Sequence, residues 1–250
     1  MIKVLHKACD ILELLAQSPV SPRTLREITE RLEINPGTCA NILKTLVARG
    51  LVEQVAPKKG YVLGPLAYML AGKGPYRRDL LAAAKPVIVD LVAEIKETAV
   101  LATLKNGKRY LLYHLDGNRS LQIRHDTPFL TDSYLTATGR VLLAHLDEAD
   151  RKAFLAVNGA PGAAWPEAAD ESRLRATLDR LRQDEIYIDT SRAEVVQMAV
   201  PLRESDRVIA ALGLAMPAAR FKGEHRKRMI TRLKAAGRKI SKSLADGKSN

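Results

Sequence analysis

The stretch with the clearest chemistry runs from Asn35 to Arg49. Cys39, Ile42, Leu43, Leu46 and Val47 recur three and four apart, the spacing of a helix that buries one face. The positions left over are Gly37, Thr38, Ala40, Asn41, Lys44, Thr45 and Arg49. Gly37 and Ala40 are small enough to let a helix approach base edges. Thr38 and Asn41 hydrogen-bond, and an Asn amide is complementary to adenine. Lys44 suits phosphate, as do Ser21, Arg23 and Thr24 upstream and Lys58 and Lys59 downstream; contacts of that kind position a protein on the duplex without reading its sequence. A second constellation lies at Thr138-Gly139, which opens a helix after a loop. Backbone N–H groups and the positive end of a helix suit a carboxylate. Thr136 and Ser133 add hydroxyls, and Arg192 offers a counter-charge to an anion. The alternative for Thr138 and Gly139 is plain N-capping and tight packing.

Catalytic patterns are missing from the sequence. His6, His114, His125, His145 and His225 have no paired metal-ligand spacing, and there is no G-x-S-x-G elbow, P-loop or dinucleotide fingerprint. No cofactor or metal is expected. Only a carboxylate-based active site escapes such a search. Cys9 and Cys39 have neither disulfide nor zinc spacing and fall in apolar helical positions, which predicts small buried thiols. The formal charge of +12 is uneven: about +4 over residues 1–75, −1 over 76–218 and +9 over 219–250. A basic excess at the two ends points to a polyanionic partner. No run of apolar residues is long enough to span a membrane, and the start lacks a secretory pattern, so a cytoplasmic protein is expected.

The elements that must position these residues follow from periodicity and punctuation. A first helix carries Val4, Ala8, Ile11, Leu12 and Leu15 on one face. Ser21 is read as the N-cap of a second, with Pro22 at its first position. Asn35 caps a third, and Gly50 ends it. Residues 51–55 and 61–63 flank a Gly/Pro/Lys loop and predict a β-hairpin. Helix, helix, short turn, helix and hairpin is the order of a winged helix-turn-helix, a module that binds DNA or, alternatively, docks proteins. After a connecting segment with a short helix comes a long helix over 79–96, with Pro86 as a kink. Asn106-Gly107 predicts a tight hairpin turn. Helices over 138–146, 148–157 and 171–184 precede strands at 186–189, 195–202 and 208–216. A basic helix from about 222 to 244 closes the chain; its charges form either a solvated face or a non-specific grip on DNA. The fold expected is α+β: residues 1–65 the winged helix, 66–78 a linker, and 79–250 a mostly antiparallel sheet flanked by helices.

At this point the chain resembles the IclR family of bacterial regulators over nearly its whole length. In the first domain the resemblance rests on residues 34–52, from Ile34-Asn35-Pro36-Gly37-Thr38 to Arg49-Gly50-Leu51-Val52, followed by Tyr61-Val62-Leu63-Gly64. In the second it rests on Thr136-Ala137-Thr138-Gly139-Arg140-Val141-Leu142-Leu143-Ala144 and on Met198-Ala199-Val200-Pro201-Leu202. The resemblance implies a GAF-like effector-binding domain, a dimer or tetramer, a palindromic operator and a small metabolite, often an organic acid, as effector. It also brings Asp189 and Gln197 to the cavity that holds the effector, although Asp189 and Arg192 alternatively pair at the surface. This chain departs from the family's pattern at Asn41, where an arginine is common, at 189–194, and at Gln197, where a cysteine is often found. The alternative role for the second domain is assembly of subunits without any ligand.

Overall fold

A computed structural model describes residues 2–17, 21–56, 59–73, 77–117 and 133–246. The chain divides into two compact units, Met1–Tyr76 and Arg77–Asn250. Among the described residues no helix is long and apolar enough to cross a membrane.

The first unit holds α1 (Lys3–Ala16), α2 (Leu25–Leu32), α3 (Pro36–Ala48), the hairpin β1 (Val52–Ala56) and β2 (Gly60–Leu63), and α4 (Pro65–Lys73). Ile11, Leu14 and Leu15 of α1, Ile28 of α2, and Cys39, Ile42, Leu43 and Leu46 of α3 form its core with Ile34 and Val52. The buried face of α1 is shorter than its sequence suggests: Val4 is exposed, as are Ile2 and Leu5. Cys9 is exposed too, against expectation, while Cys39 is fully buried. Val47 lies at the edge of the α3 apolar stripe and is 37% exposed, so the packed face ends at Leu46.

The start of α2 is corrected as well. Its N-cap is Thr24, whose hydroxyl accepts from the Glu27 N–H while the Glu27 carboxylate reaches back to the Thr24 N–H, a full capping box. Ser21 precedes an extended segment instead, because Arg23 pairs with Tyr61 in a short antiparallel bridge, N–H to carbonyl in both directions at 3.0 and 2.8 Å. That ladder takes residue 23 out of the helix and ties the entry to α2 onto the wing. Glu33 turns the chain in the left-handed region, φ 51°, and Asn35 then caps α3 by accepting from Gly37 and Thr38.

The second unit is a five-stranded antiparallel sheet ordered β4-β3-β7-β6-β5. Its strands are β3 (Thr98–Lys105), β4 (Lys108–Leu115), β5 (Tyr187–Asp189), β6 (Val195–Glu204) and β7 (Arg207–Pro217). Asn106 and Gly107 make the β3–β4 turn with φ 50° and 74°, the two left-handed residues that a type I′ hairpin requires. One sheet face carries large side chains, including Val196, Met198, Val200, Leu202, Leu212, Leu214 and Met216. These pack on α5 (Arg78–Ile95), which runs on through Pro86 as one helix, and on α9 (Gly223–Asp246). The opposite face is built of small residues, Ala102, Ala199 and Ala211. Over it lies α6 (Ala137–Ala144), buried along its whole length. Outside α6, the helices α7 (Glu148–Asn158) and α8 (Glu171–Gln183) enclose Trp165, Tyr134 and Phe154.

Candidate functional site

On α3 the predicted polar row emerges on the side away from the core. Gly37, Asn41, Lys44, Thr45 and Arg49 are exposed, and Thr38 and Ala40 are half-buried. The Thr45 hydroxyl donates to the Asn41 carbonyl at 3.0 Å. Among the described residues the exposed side chains of Asn41 and Lys44, one turn apart, have no hydrogen-bond or ion-pair partner. Ser21 is exposed, Arg23 and Thr24 are half-buried in the bridge and the cap, and Lys59 is exposed beside β2; Lys58 lies outside the described residues. The chemistry available is a small-residue helix edge with amide and ammonium groups, with the exposed Lys59 on the hairpin.

In the second unit the seven candidate residues converge on the start of α6, and the contacts explain why. Gly139 sits against residue 133, where an added Cβ would come within 2.2 Å of the Ser133 carbonyl oxygen. Thr136 caps the helix, its hydroxyl accepting from the Gly139 N–H at 3.1 Å, and Gln197 Oε1 accepts from the Ala137 N–H at 3.0 Å. The first-turn donors expected to be open to an anion are thus partly taken by side chains of this chain. The Thr138 hydroxyl accepts from Arg109 Nε at 2.9 Å, and its methyl group stands over Gly213, where a Cβ would come within 2.6 Å. Arg192 is exposed and donates to the Leu135 carbonyl at 2.9 Å. It does not pair with Asp189.

Asp189 pairs instead with Arg140, 3.0 Å apart, each side chain only 4% exposed. Its other oxygen accepts from the Ser191 N–H and hydroxyl. Arg140 also donates to the Tyr134 carbonyl at 2.7 Å and, in a short bond, to the Tyr187 hydroxyl. Its guanidinium lies over the Trp165 ring, 4.6 Å from the centroid. A buried ion pair survives in low dielectric only when its remaining hydrogen-bonding groups are satisfied, and this one is held on every side. Sequence reasoning missed Arg140 and Arg109. The signal for Arg140 was present: a charged residue inside the apolar run 137–144. Arg109 gave none, since one arginine on a mixed strand reads as surface. Its guanidinium is buried, and desolvation pushes it down to about 10, still cationic at neutral pH.

Two family models match the chain: an IclR helix-turn-helix domain over residues 4–56 and a bacterial transcriptional regulator IclR C-terminal domain over residues 76–242. A relative, the HTH-type transcriptional regulator BhcR of Paracoccus denitrificans, is 30% identical over 154 residues. That match takes in 62% of this chain and 54% of the relative, about half its length. Among solved structures, an IclR transcriptional regulator of Alicyclobacillus acidocaldarius superposes with a TM-score of 0.78 at 24% identity, covering 98% of this chain and 99% of that one. An IclR homologue of Microbacterium hydrocarbonoxydans, solved in complex with 4-hydroxybenzoate, gives 0.76 at 22% identity, covering 96% and 98%. With a helix-turn-helix and an antiparallel α/β unit in this order, and with one family model spanning two thirds of its length, the chain belongs to the IclR family of bacterial transcriptional regulators.

Proposed function

We propose that this protein is a cytoplasmic regulator that binds a palindromic operator in double-stranded DNA as a homodimer or tetramer, and that its second unit responds to a small organic acid. Residues 1–65 do the DNA binding, 66–78 link the units, and 79–250 hold the effector and assemble subunits. The observation that carries the DNA reading is the exposed row on α3. Gly37 and Asn41, with Ala40 half-buried between them, form its N-terminal part, the part of a recognition helix that reaches base edges. Asn41 reads a base, Thr38 supports it, and Lys44, Arg49, Ser21, Arg23, Thr24, Lys58 and Lys59 meet the backbone. The wing and α2 are bound to each other through the Arg23–Tyr61 bridge, which keeps the backbone contacts in register with α3. Self-association is supported by apolar side chains that the first unit leaves in water: Ile2 and Leu5 on or beside α1, Tyr68 and Leu70 on α4. A two-fold dimer implies a two-fold operator. Selection of bound sites from random duplex at physiological salt tests this. An inverted repeat should emerge; a pool no richer than the input would end the proposal.

For the effector, the supporting observation is the convergence of Ser133, Thr136, Thr138, Gly139, Asp189, Arg192 and Gln197 on one helix start beside the buried cation Arg109. The Microbacterium neighbour's ligand, 4-hydroxybenzoate, is an organic acid and is the first probe to try. A second reading has its own support. Gln197 and Thr136 already satisfy first-turn donors of α6, as a unit that only assembles subunits would require. A ligand of the folded state raises its melting temperature. A thermal-shift screen of organic acids therefore favours sensing if one of them stabilises the protein, and assembly alone if none does.

A further inference from the structure

On the α9 side of the second unit, an open groove of about 210 Å³ runs between the end of α8, β6 and α9. Four cations line it, Arg182, Arg203, Lys234 and Arg238, against two carboxylates, Asp184 and Glu185. A single oxygen of Glu185 serves both Lys234, at 3.2 Å, and Arg238, at 3.1 Å, so one negative charge is shared by two positive ones. Arg182 donates to the carbonyls of Ala144, the last residue of α6, and Leu146 just beyond it, at 2.8 and 2.9 Å; those contacts orient it but cancel none of its charge. Arg203 is exposed, and its backbone N–H is held by Ser241 Oγ at 3.0 Å. His145, at the same helix end, is held neutral by burial and by the charges of Arg203 and Arg182.

We propose that this groove is an anion site, distinct from the candidate effector region at the other end of α6, and that it takes a small phosphate-class dianion such as inorganic phosphate or a small phosphate monoester. Forked guanidinium donors match phosphate oxygens. The volume lies below the range of pockets that enclose drug-sized ligands, roughly 300–1,000 Å³, which favours a phosphate or a short monoester over a nucleotide. Because Arg182 also holds the last carbonyl of α6, a bound anion draws on the same guanidinium that fixes that helix end.

The test is calorimetric titration of the full-length protein with inorganic phosphate, at constant ionic strength balanced with chloride. The paired variant Arg203→Gln/Arg238→Gln, which keeps polar stems in place, is titrated alongside, and its melting curve shows whether it folds. The expected result is one phosphate per chain, bound at least tenfold more weakly by the variant at an unchanged melting temperature. If the double variant fails to fold, Arg203→Gln alone is titrated and should still weaken binding severalfold. No heat beyond the chloride control, or equal affinity in wild type and variant, overturns the proposal. So does a response to random duplex DNA that the substitutions abolish while free phosphate gives none, since the groove would then be a backbone contact.

Discussion

Asn41 and Lys44 both stand exposed on α3, three residues apart, yet their losses should look different. If Asn41 reads a base as proposed, Asn41→Ala removes that amide and should cost about 1–3 kcal/mol at one operator position while flattening preference there. Lys44→Ala should weaken binding evenly across sequences and lower the salt slope by about 1. Quantitative binding to operator variants at two salt concentrations separates the two. Arg140 and Asp189 predict a stability effect instead. With both side chains buried at 3.0 Å, Asp189→Asn leaves a guanidinium uncompensated and should cost about 3 kcal/mol or more in denaturant unfolding. Replacing both members with apolar residues should cost less than that single change. His145 predicts a pH dependence. Burial first, then Arg203 and Arg182, lower it to about 4, against about 6.5 in an unfolded chain. The unfolded state therefore takes up the proton first as pH falls. Stability should be full above about 6.5 and decline as pH drops toward 4, by about 1–2 kcal/mol once solvent screening of a part-exposed ring is allowed for. His145→Gln should flatten that slope in urea titrations across the same range.

At the scale of elements, α6 is buried along its whole length. Eight residues are enclosed between a sheet face of small side chains and the α8 layer, so every substitution on it meets something. Gly139→Ala would bring a methyl group within 2.2 Å of the Ser133 carbonyl oxygen and within 3 Å of its Cα. Backbone does not yield as a side-chain tip does, so a loss of about 1–3 kcal/mol or more is expected, together with displacement of the turn at Ser133–Leu135. Near-ultraviolet dichroism of the single tryptophan, Trp165, in the layer beside α6, reports it; an unchanged spectrum and melt would show that the turn has more slack than the contact implies. In the first unit, the hairpin is bound to the segment before α2 by two backbone hydrogen bonds. A proline at position 61 would delete one of them and should loosen the wing before it disturbs α3. The basic α9 is less free than its charges suggest. Arg228 and Arg232 converge on Glu94, and Lys227, Lys234 and Arg238 have carboxylate partners.

At the scale of the whole molecule, the core clusters among the described residues are built from residues 11–52 in the first unit and from residues 80–244 in the second. A fragment comprising 77–250 should therefore melt cooperatively on its own. In the full chain, Trp165 fluorescence should follow only the second unit while far-ultraviolet dichroism follows both; coincident curves with a non-folding fragment would show that the units depend on each other. Much of this architecture was legible in the residues. The helix spacing, the Asn35 cap, Gly50 and Asn106-Gly107 are local features, and local geometry follows from local chemistry. The exposed row of α3 was legible for the same reason, as the complement of its apolar stripe. Tertiary structure alone decided the rest. That Thr24 rather than Ser21 caps α2 depends on a bridge to Tyr61, 38 positions away from residue 23. That Asp189 meets Arg140 and not Arg192 depends on β5 lying beside β6 under α6. Periodicity tells a chain which face to bury; it carries no record of which charge will be waiting there.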